Sequence, residues 1–327
     1  MAKLVTIFGG SGFVGRYIAR RMAKEGWRVR VAVRRPNEAL FVKPYGVVGQ
    51  VEPILSNIRD DNSVREAIHG ADAVVNCVGT FDAGGKNNFG AVQHEGAARI
   101  ARLAKEEGVD TLVHISAIGA DAESDSLYAR SKAEGEAAVL QAFPSAMILR
   151  PSVVFGPEDA FFNRFAAMTR FGPVLPIAGG DTGFQPVYVD DVAHAAQKGI
   201  LGKAHGIFEL GGPEVATFRE LMNRMLEVIR RRRLVLNMPF FAARIIAWGL
   251  DMVQTATLGL FNNSMLTRDQ VRTLQYDNVV GDDAQTLADL GIEATSMDAV
   301  LDDYLYVYRP SGQYSDIKES ARHLREG

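Results

Sequence analysis

The chain has 327 residues, of which 47% are apolar and 23% charged, with a net charge of −3 and a single cysteine. That length buries a large core without cross-links and sets a soft prior of about two domains. A lone cysteine excludes a disulfide framework and a cysteine-rich zinc or iron–sulfur site, and the balanced charge excludes a whole-protein field for nucleic acid.

Met1-Ala2-Lys3 leads directly into an apolar run, with neither a secretory signal nor an Arg- and Ser-rich presequence. A protein kept in a bacterial cytoplasm is expected; a mature organellar chain renumbered from a new Met fits the same start. Leu4–Phe8 is a β-prone run, and Gly9-Gly10-Ser11-Gly12-Phe13-Val14-Gly15 follows at once. Arg16 to Glu25 then carries Tyr17, Ile18 and Met22 at helical spacing and stops at Gly26. Strand, glycine turn and helix in that order form a pyrophosphate cradle, because glycines let the backbone approach the phosphates at a positive helix end. The alternative is a plain tight turn.

The second strand, Arg28–Val33, ends in Arg34-Arg35. A carboxylate there would grip the ribose hydroxyls of NAD, whereas guanidinium groups, with Arg16 beside them, fit the 2′-phosphate of NADP. Further apolar runs at Val51–Leu55, Ala73–Val78, Thr111–Ser116 and Ala146–Leu149 alternate with helical stretches at Ser63–His69, Val92–Glu107 and Tyr128–Phe143. Such alternation predicts an α/β fold, a doubly wound parallel sheet of Rossmann type with its ligand at the strands' carboxyl ends. Cys77 lies at such an end and reads as a small apolar residue, since no histidine or cation nearby in the sequence would make it a thiolate.

With Asn76-Cys77-Val78-Gly79, Tyr128-Ala129-Arg130-Ser131-Lys132 and Leu149-Arg150-Pro151 through Gly156-Pro157, the chain resembles an extended or atypical short-chain dehydrogenase/reductase. The resemblance implies a nucleotide against Gly9, Gly10, Ser11, Gly12, Phe13, Val14, Gly15, Arg16, Arg34, Arg35, Asn57, Ile58, Val78, Gly79, Ser116, Tyr128, Lys132, Pro151 and Val154. It also implies Tyr128 as acid and Lys132, four residues on and on the same helix face, as its helper, an ammonium that lowers the phenol's pKa and holds the nicotinamide ribose. The catalytic hydroxyl of that superfamily falls on Ala117 or Ile118, with Ser116 one or two positions early, so Ser116 serves only if the register shifts. Asn57 replaces an adenine-contacting Asp and still offers an amide.

Phe155–Asp159, Phe162–Met168, Arg170–Pro173, Gln185–Val192, Leu266–Val271 and Leu287–Ile292 narrow the resemblance to the Rossmann-type accessory subunit of respiratory complex I, the NADH:ubiquinone oxidoreductase. That family implies tightly bound NADPH, a structural role, and a place near the quinone-site end of the peripheral arm, here on the cytoplasmic side of a bacterial inner membrane among other complex I subunits. A working NADPH-dependent reductase or epimerase for a hydrophobic carbonyl, and a regulator that senses the NADP/NADPH ratio, are the competing readings.

Boundaries of 1–155 for the nucleotide domain, 156–183 and 212–310 for a smaller lobe and 311–327 for a tail follow, with Val187–Val189 and Ile207–Leu210 returning to the sheet. Asp190 and Asp191 are expected to cap a helix beginning near Val192. Phe218, Leu221, Met222, Met225, Leu226 and Ile229 fall at helical spacing. Arg230–Arg233, Phe240, Phe241 and Trp248, within about 230–261, form either a lobe core with a basic face or an interfacial segment against headgroups or a partner subunit. The charge-free run Met252–Thr267 is too short and polar to span a bilayer. The polar stretch from Arg309 is expected to order on a partner or stay mobile.

Overall fold

The computed structural model describes residues 2–81, 84–256 and 267–312. The chain forms two compact units, the first built from Met1–Ser152, Val189–Gly211 and Val280–Ala294, the second from Val153–Tyr188, Gly212–Val279 and Thr295–Gly327.

The first unit holds a seven-stranded parallel sheet: β1 (Leu4–Phe8), β2 (Arg28–Val33), β3 (Val51–Leu55), β4 (Ala73–Asn76), β5 (Thr111–Ile115), β6 (Met147–Pro151) and β7 (Gly206–Leu210). Their order across the sheet is β7-β6-β5-β4-β1-β2-β3. The order reverses between β1 and β4, which is where doubly wound sheets open a crevice for ligands. Helices α1 (Phe13–Lys24), α2 (Asp61–Ile68), α3 (Glu95–Glu106), α4 (Leu127–Ala142) and α5 (Val189–Ile200) cover it. Phe8, Val74, Leu112 and Ile148 meet Val64, Ile100, Leu103 and Val139 in one buried core, each large side chain contributing roughly 1.5–3 kcal/mol. On the opposite face a Cβ at Gly199 of α5 would lie 2.8 Å from Val113, so only a glycine lets the helix approach there.

Three expectations are corrected. Val187–Tyr188 does not join the large sheet; it pairs in parallel with Val154–Phe155 in the second unit, and only Gly206–Leu210 returns, beside β6. α5 starts at Val189, so Asp190 and Asp191 stand in its first turn and not at a cap before it. Asp190 instead takes Arg21 of α1 in a two-pronged ion pair at 2.7 and 2.9 Å. The stretch 280–294, assigned above to the lobe, belongs to the first unit. Glu209 on β7 holds it, accepting from Gly281 N at 2.9 Å and donating its own N–H to Gln285 O at 2.8 Å.

In the second unit, Phe218–Val228 begins with a capping box between Thr217 and Glu220 and buries Phe218, Leu221, Met222, Met225 and Leu226, as the spacing predicts. Phe161, Phe165 and Phe184 surround Phe218 with ring centroids 5.3–5.7 Å apart. Asp159, 4% exposed, anchors the entry to helix Phe162–Met168. Its carboxylate accepts from Tyr304 Oη at 2.6 Å, Asn163 N at 3.0 Å and Gly156 N at 3.2 Å. Arg309, read above as the start of a loose tail, donates to Val228 O at 2.9 Å and pairs with Asp302 at 2.8 Å. Residues 313–327 and 257–266, with most of the expected tail and the end of the 230–261 segment, lie outside the described residues.

Candidate functional site

At the carboxyl end of β1 the chain turns through Gly9, at φ 74°, and enters α1 with Gly12 as its N-cap. No side chain caps that helix and its first turn carries no acid, so the positive end of the dipole and its N–H groups are open to an anion. A Cβ on Gly9 would lie 3.2 Å from the Cys77 backbone, which seats the β1 turn directly on the β4 end where Val78 and Gly79 follow. A Cβ on Gly15 would strike Gly9 O and come within 2.7 Å of Gly10 Cα. The glycine cradle is thus closed by its own backbone, and Ser11, Phe13 and Val14 are carried on it.

Arg16 folds back over the turn, donating to Ser11 O at 3.1 Å, with its guanidinium 4.8 Å from the Phe41 ring. Arg34 and Arg35 both stand exposed just past β2. They differ in what they touch: Arg35 pairs with Glu38 at 3.0 Å, while Arg34 has no side-chain partner among the described residues. After β3, Asn57 Oδ1 accepts from Arg59 N at 3.2 Å. Ile58 packs against Gly96 of α3, where a Cβ would lie 2.9 Å from it.

Around α4 the sequence-predicted pair is present, but its electrostatics are not those expected. Tyr128 is stacked on Phe81, centroids 5.4 Å apart and 13° between planes, with Phe89 edge-on at 6.0 Å. Burial among these rings pushes the phenol up to about 12. Lys132 donates to Ile115 O at 3.2 Å and sits 5.9 Å from the Tyr128 centroid. Its own burial lowers it to about 8, against the opposing influence of Glu136. The ammonium therefore does not bring the phenol down, and this corrects the expectation of a lowered tyrosine. Ser131 locks the helix in place, donating to Gln93 Oε1 at 2.6 Å.

Ser116 follows β5, its N–H on Leu149 O at 2.7 Å and its hydroxyl buried without a hydrogen-bond partner among the described residues. His114, two residues earlier, is one of six histidines whose spacing in the sequence points to no metal site. Asn76 Oδ1 takes the Val78 N–H at 3.0 Å, so its amide nitrogen donates to His114 Nδ1 at 3.1 Å. The imidazole proton then lies on Nε2, which is also buried without a partner among the described residues. Burial first, and the Lys132 charge second, hold His114 down to about 3, so it is neutral throughout the physiological range. Cys77 is pushed up to about 12 by burial, so it is a thiol and no nucleophile. Pro151, at the end of β6, accepts from Ile118 N at 3.1 Å; Val154 belongs to the second unit, on its strand with Val187.

The profile of the NAD dependent epimerase/dehydratase family matches residues 5–208, which takes in the cradle, the Tyr128 helix and the whole seven-stranded sheet but for its last residues. The chain belongs to that family. Two relatives extend the likeness across both units. The mitochondrial NADH dehydrogenase [ubiquinone] 1 alpha subcomplex subunit 9 of Arabidopsis thaliana is 34% identical over 94% of this chain and 79% of its own. The mitochondrial NADH-ubiquinone oxidoreductase 40 kDa subunit of Neurospora crassa is 30% identical over 98% and 84%. Among solved structures, that of gox2253 superposes with a TM-score of 0.70 over 95% of this chain and 99% of its own, at 19% identity, a likeness of fold alone.

For a member of this NAD-dependent family, the residues at the crevice fit a dinucleotide. The Gly9–Gly15 turn packs too closely on its own backbone to carry side chains at Gly9 and Gly15, and the uncapped α1 terminus supplies N–H donors for a pyrophosphate. No cluster of three or more metal-ligating side chains occurs among the described residues.

Proposed function

We propose that this chain is an accessory subunit of a bacterial respiratory complex I that holds NADPH as a structural group and does not turn it over. The observation that carries the reading is the reach of the likeness. The family profile ends at residue 208, yet the relatives named as complex I subunits match 94% and 98% of the chain, through the second unit. Solved structures that superpose over as much of the chain do so at 19% identity, so it is the sequence likeness through the second unit, at 34% and 30%, that favours these relatives.

The cofactor assignment rests on Arg34, an exposed guanidinium without a side-chain partner among the described residues, at the β2 end where a 2′-phosphate would sit, with Arg16 held beside the glycine turn. The structural role rests on the Tyr128 surroundings. A phenol held near 12 is a poor acid at neutral pH, and Ala117 and Ile118 bring no hydroxyl to help a carbonyl. A ligand held only by the folded state adds about 4 kcal/mol at a thousandfold excess over Kd, enough to make nucleotide a condition for assembly. Assembly with other complex I subunits near the quinone-site end, on the cytoplasmic side of the inner membrane, completes the proposal.

Titration calorimetry with NADPH and NADH tests it. Wild type is expected to prefer NADPH, and Arg34→Asp to lose that preference by roughly ten- to a hundredfold, the weight of a charge-assisted phosphate contact turned repulsive. Arg35→Ala is expected to lose less, because Glu38 already engages that guanidinium. Equal affinity for the two nucleotides in wild type would refute the cofactor assignment.

A further inference from the structure

Arg16 on α1 and Arg34 and Arg35 past β2 are held in three different ways, and the run Pro36–Tyr45 sets two of them. That run winds as 3₁₀ turns and is anchored by Ala39 and Val42, 1% and 0% exposed. Phe41 lies between them in sequence yet stays 43% exposed, so its ring is not part of the core. The ring faces Arg16 instead, with the guanidinium carbon 4.8 Å from its centroid, and Tyr45 meets it edge-on at 6.5 Å. The N–H edge of the same guanidinium donates to Ser11 O at 3.1 Å and to Gly12 O at 3.3 Å.

A ring face and two carbonyls share a property that a carboxylate lacks. They orient a guanidinium without cancelling its charge. Arg35 shows the contrast, because its ion pair with Glu38 at 3.0 Å already sets an acid against it. Arg34 has no side-chain partner among the described residues, so it loses rotamer freedom when it meets an anion. Of the three, Arg16 alone is both uncompensated by a carboxylate in these contacts and already in place. A group ordered before its ligand arrives binds more tightly than one that must be ordered by it.

The place also fits. Phe8 is in register with Ala32, and Gly9 donates its N–H to Ala32 O at 3.1 Å, so the turn that Arg16 covers lies beside the end of β2. NADPH differs from NADH by one phosphate, carried on the adenosine ribose that reaches this end of a doubly wound sheet. We propose that Phe41 is a positioning residue for phosphate selectivity, its ring holding Arg16 over the glycine turn where the guanidinium meets an adenosine 2′-phosphate. The inference rests on the NADPH reading and adds to it a residue that acts through Arg16.

Calorimetric titration of the full chain with NADPH and NADH, and with the fragments 2′,5′-ADP and 5′-AMP, supplies the test. Phe41→Leu keeps the apolar bulk and removes the π face. It is expected to weaken NADPH and 2′,5′-ADP about two- to fivefold, the weight of one cation–π contact near the surface, and to leave NADH and 5′-AMP unchanged. Phe41→Trp is expected to retain wild-type selectivity, and thermal unfolding of Phe41→Leu to match wild type. In an Arg16→Ala background Phe41→Leu is expected to add no further loss. Equal weakening of ligands with and without the 2′-phosphate, the same loss in the absence of Arg16, or a wild-type preference for NADPH undiminished in Phe41→Leu would each overturn the role of Phe41 alone. Equal affinity of wild type for NADPH and NADH would overturn it together with the cofactor reading.

Discussion

Gly15→Ala is expected to cost the fold about 1–3 kcal/mol and to weaken nucleotide binding by at least about tenfold. The added methyl would meet Gly9 O and Gly10 Cα, both backbone atoms of the turn that must receive the pyrophosphate. Neither is the end of a flexible side chain, so relief requires the turn to move away from α1, and the N–H groups of the cradle move with it. Thermal unfolding with and without NADPH reads both effects: a lower midpoint, and a smaller upward shift on adding nucleotide. An unchanged nucleotide-induced shift would mean that the ligand does not use this turn.

Asp159→Ala is expected to destabilise the second unit by about 3 kcal/mol, since it removes the buried acceptor of two backbone N–H groups and the Tyr304 hydroxyl together. Burial raises the Asp159 carboxyl above its ordinary value, while the hydrogen bond from Tyr304 and those from backbone groups pull it down without overcoming the desolvation. The sign of the pH effect follows from the raised value. Stability from this group is fully present below the unfolded carboxyl value of ~3.9 and is lost as pH rises through the folded one. Denaturant titrations at about pH 4 and at neutral pH should therefore show the larger penalty for Asp159→Ala at the lower pH. A penalty that grows with pH would contradict the desolvation account.

Much of the first unit was legible because its signals are local. The apolar run Leu4–Phe8, the glycines after it and the Arg28–Val33 strand each carry their own pattern, and each forms where its pattern places it. The Phe218–Val228 helix was equally plain from its spacing. Val187–Tyr188 misled because a short β-prone run does not say which edge it will pair with, and Val153 O, not the large sheet, takes its first N–H. The stretch 280–294 has no period to read; Glu209 fastens it through both its carboxylate, 72 residues from Gly281, and its backbone N–H.

The site was less legible than the fold for a related reason. Glycine and arginine positions are fixed by neighbours along the chain, so the cradle and Arg34 stood out. The surroundings of Tyr128 include Phe81 and Phe89, which no spacing rule connects to it, and its burial raises the phenol. The Asn76–His114 pair is hidden in the same way, by two strands that lie side by side only in the folded sheet.

The central claim, a complex I subunit with a structural NADPH, is tested most directly by gentle detergent extraction of the native protein from its own membranes. Its migration on a native gel is followed, and the nucleotide released from the excised band is identified. Migration with NADH:quinone reductase activity, and NADPH in roughly one-to-one amount, is the result expected of a single binding crevice in each chain. A free species that carries no nucleotide and leaves that activity intact in another band would contradict it.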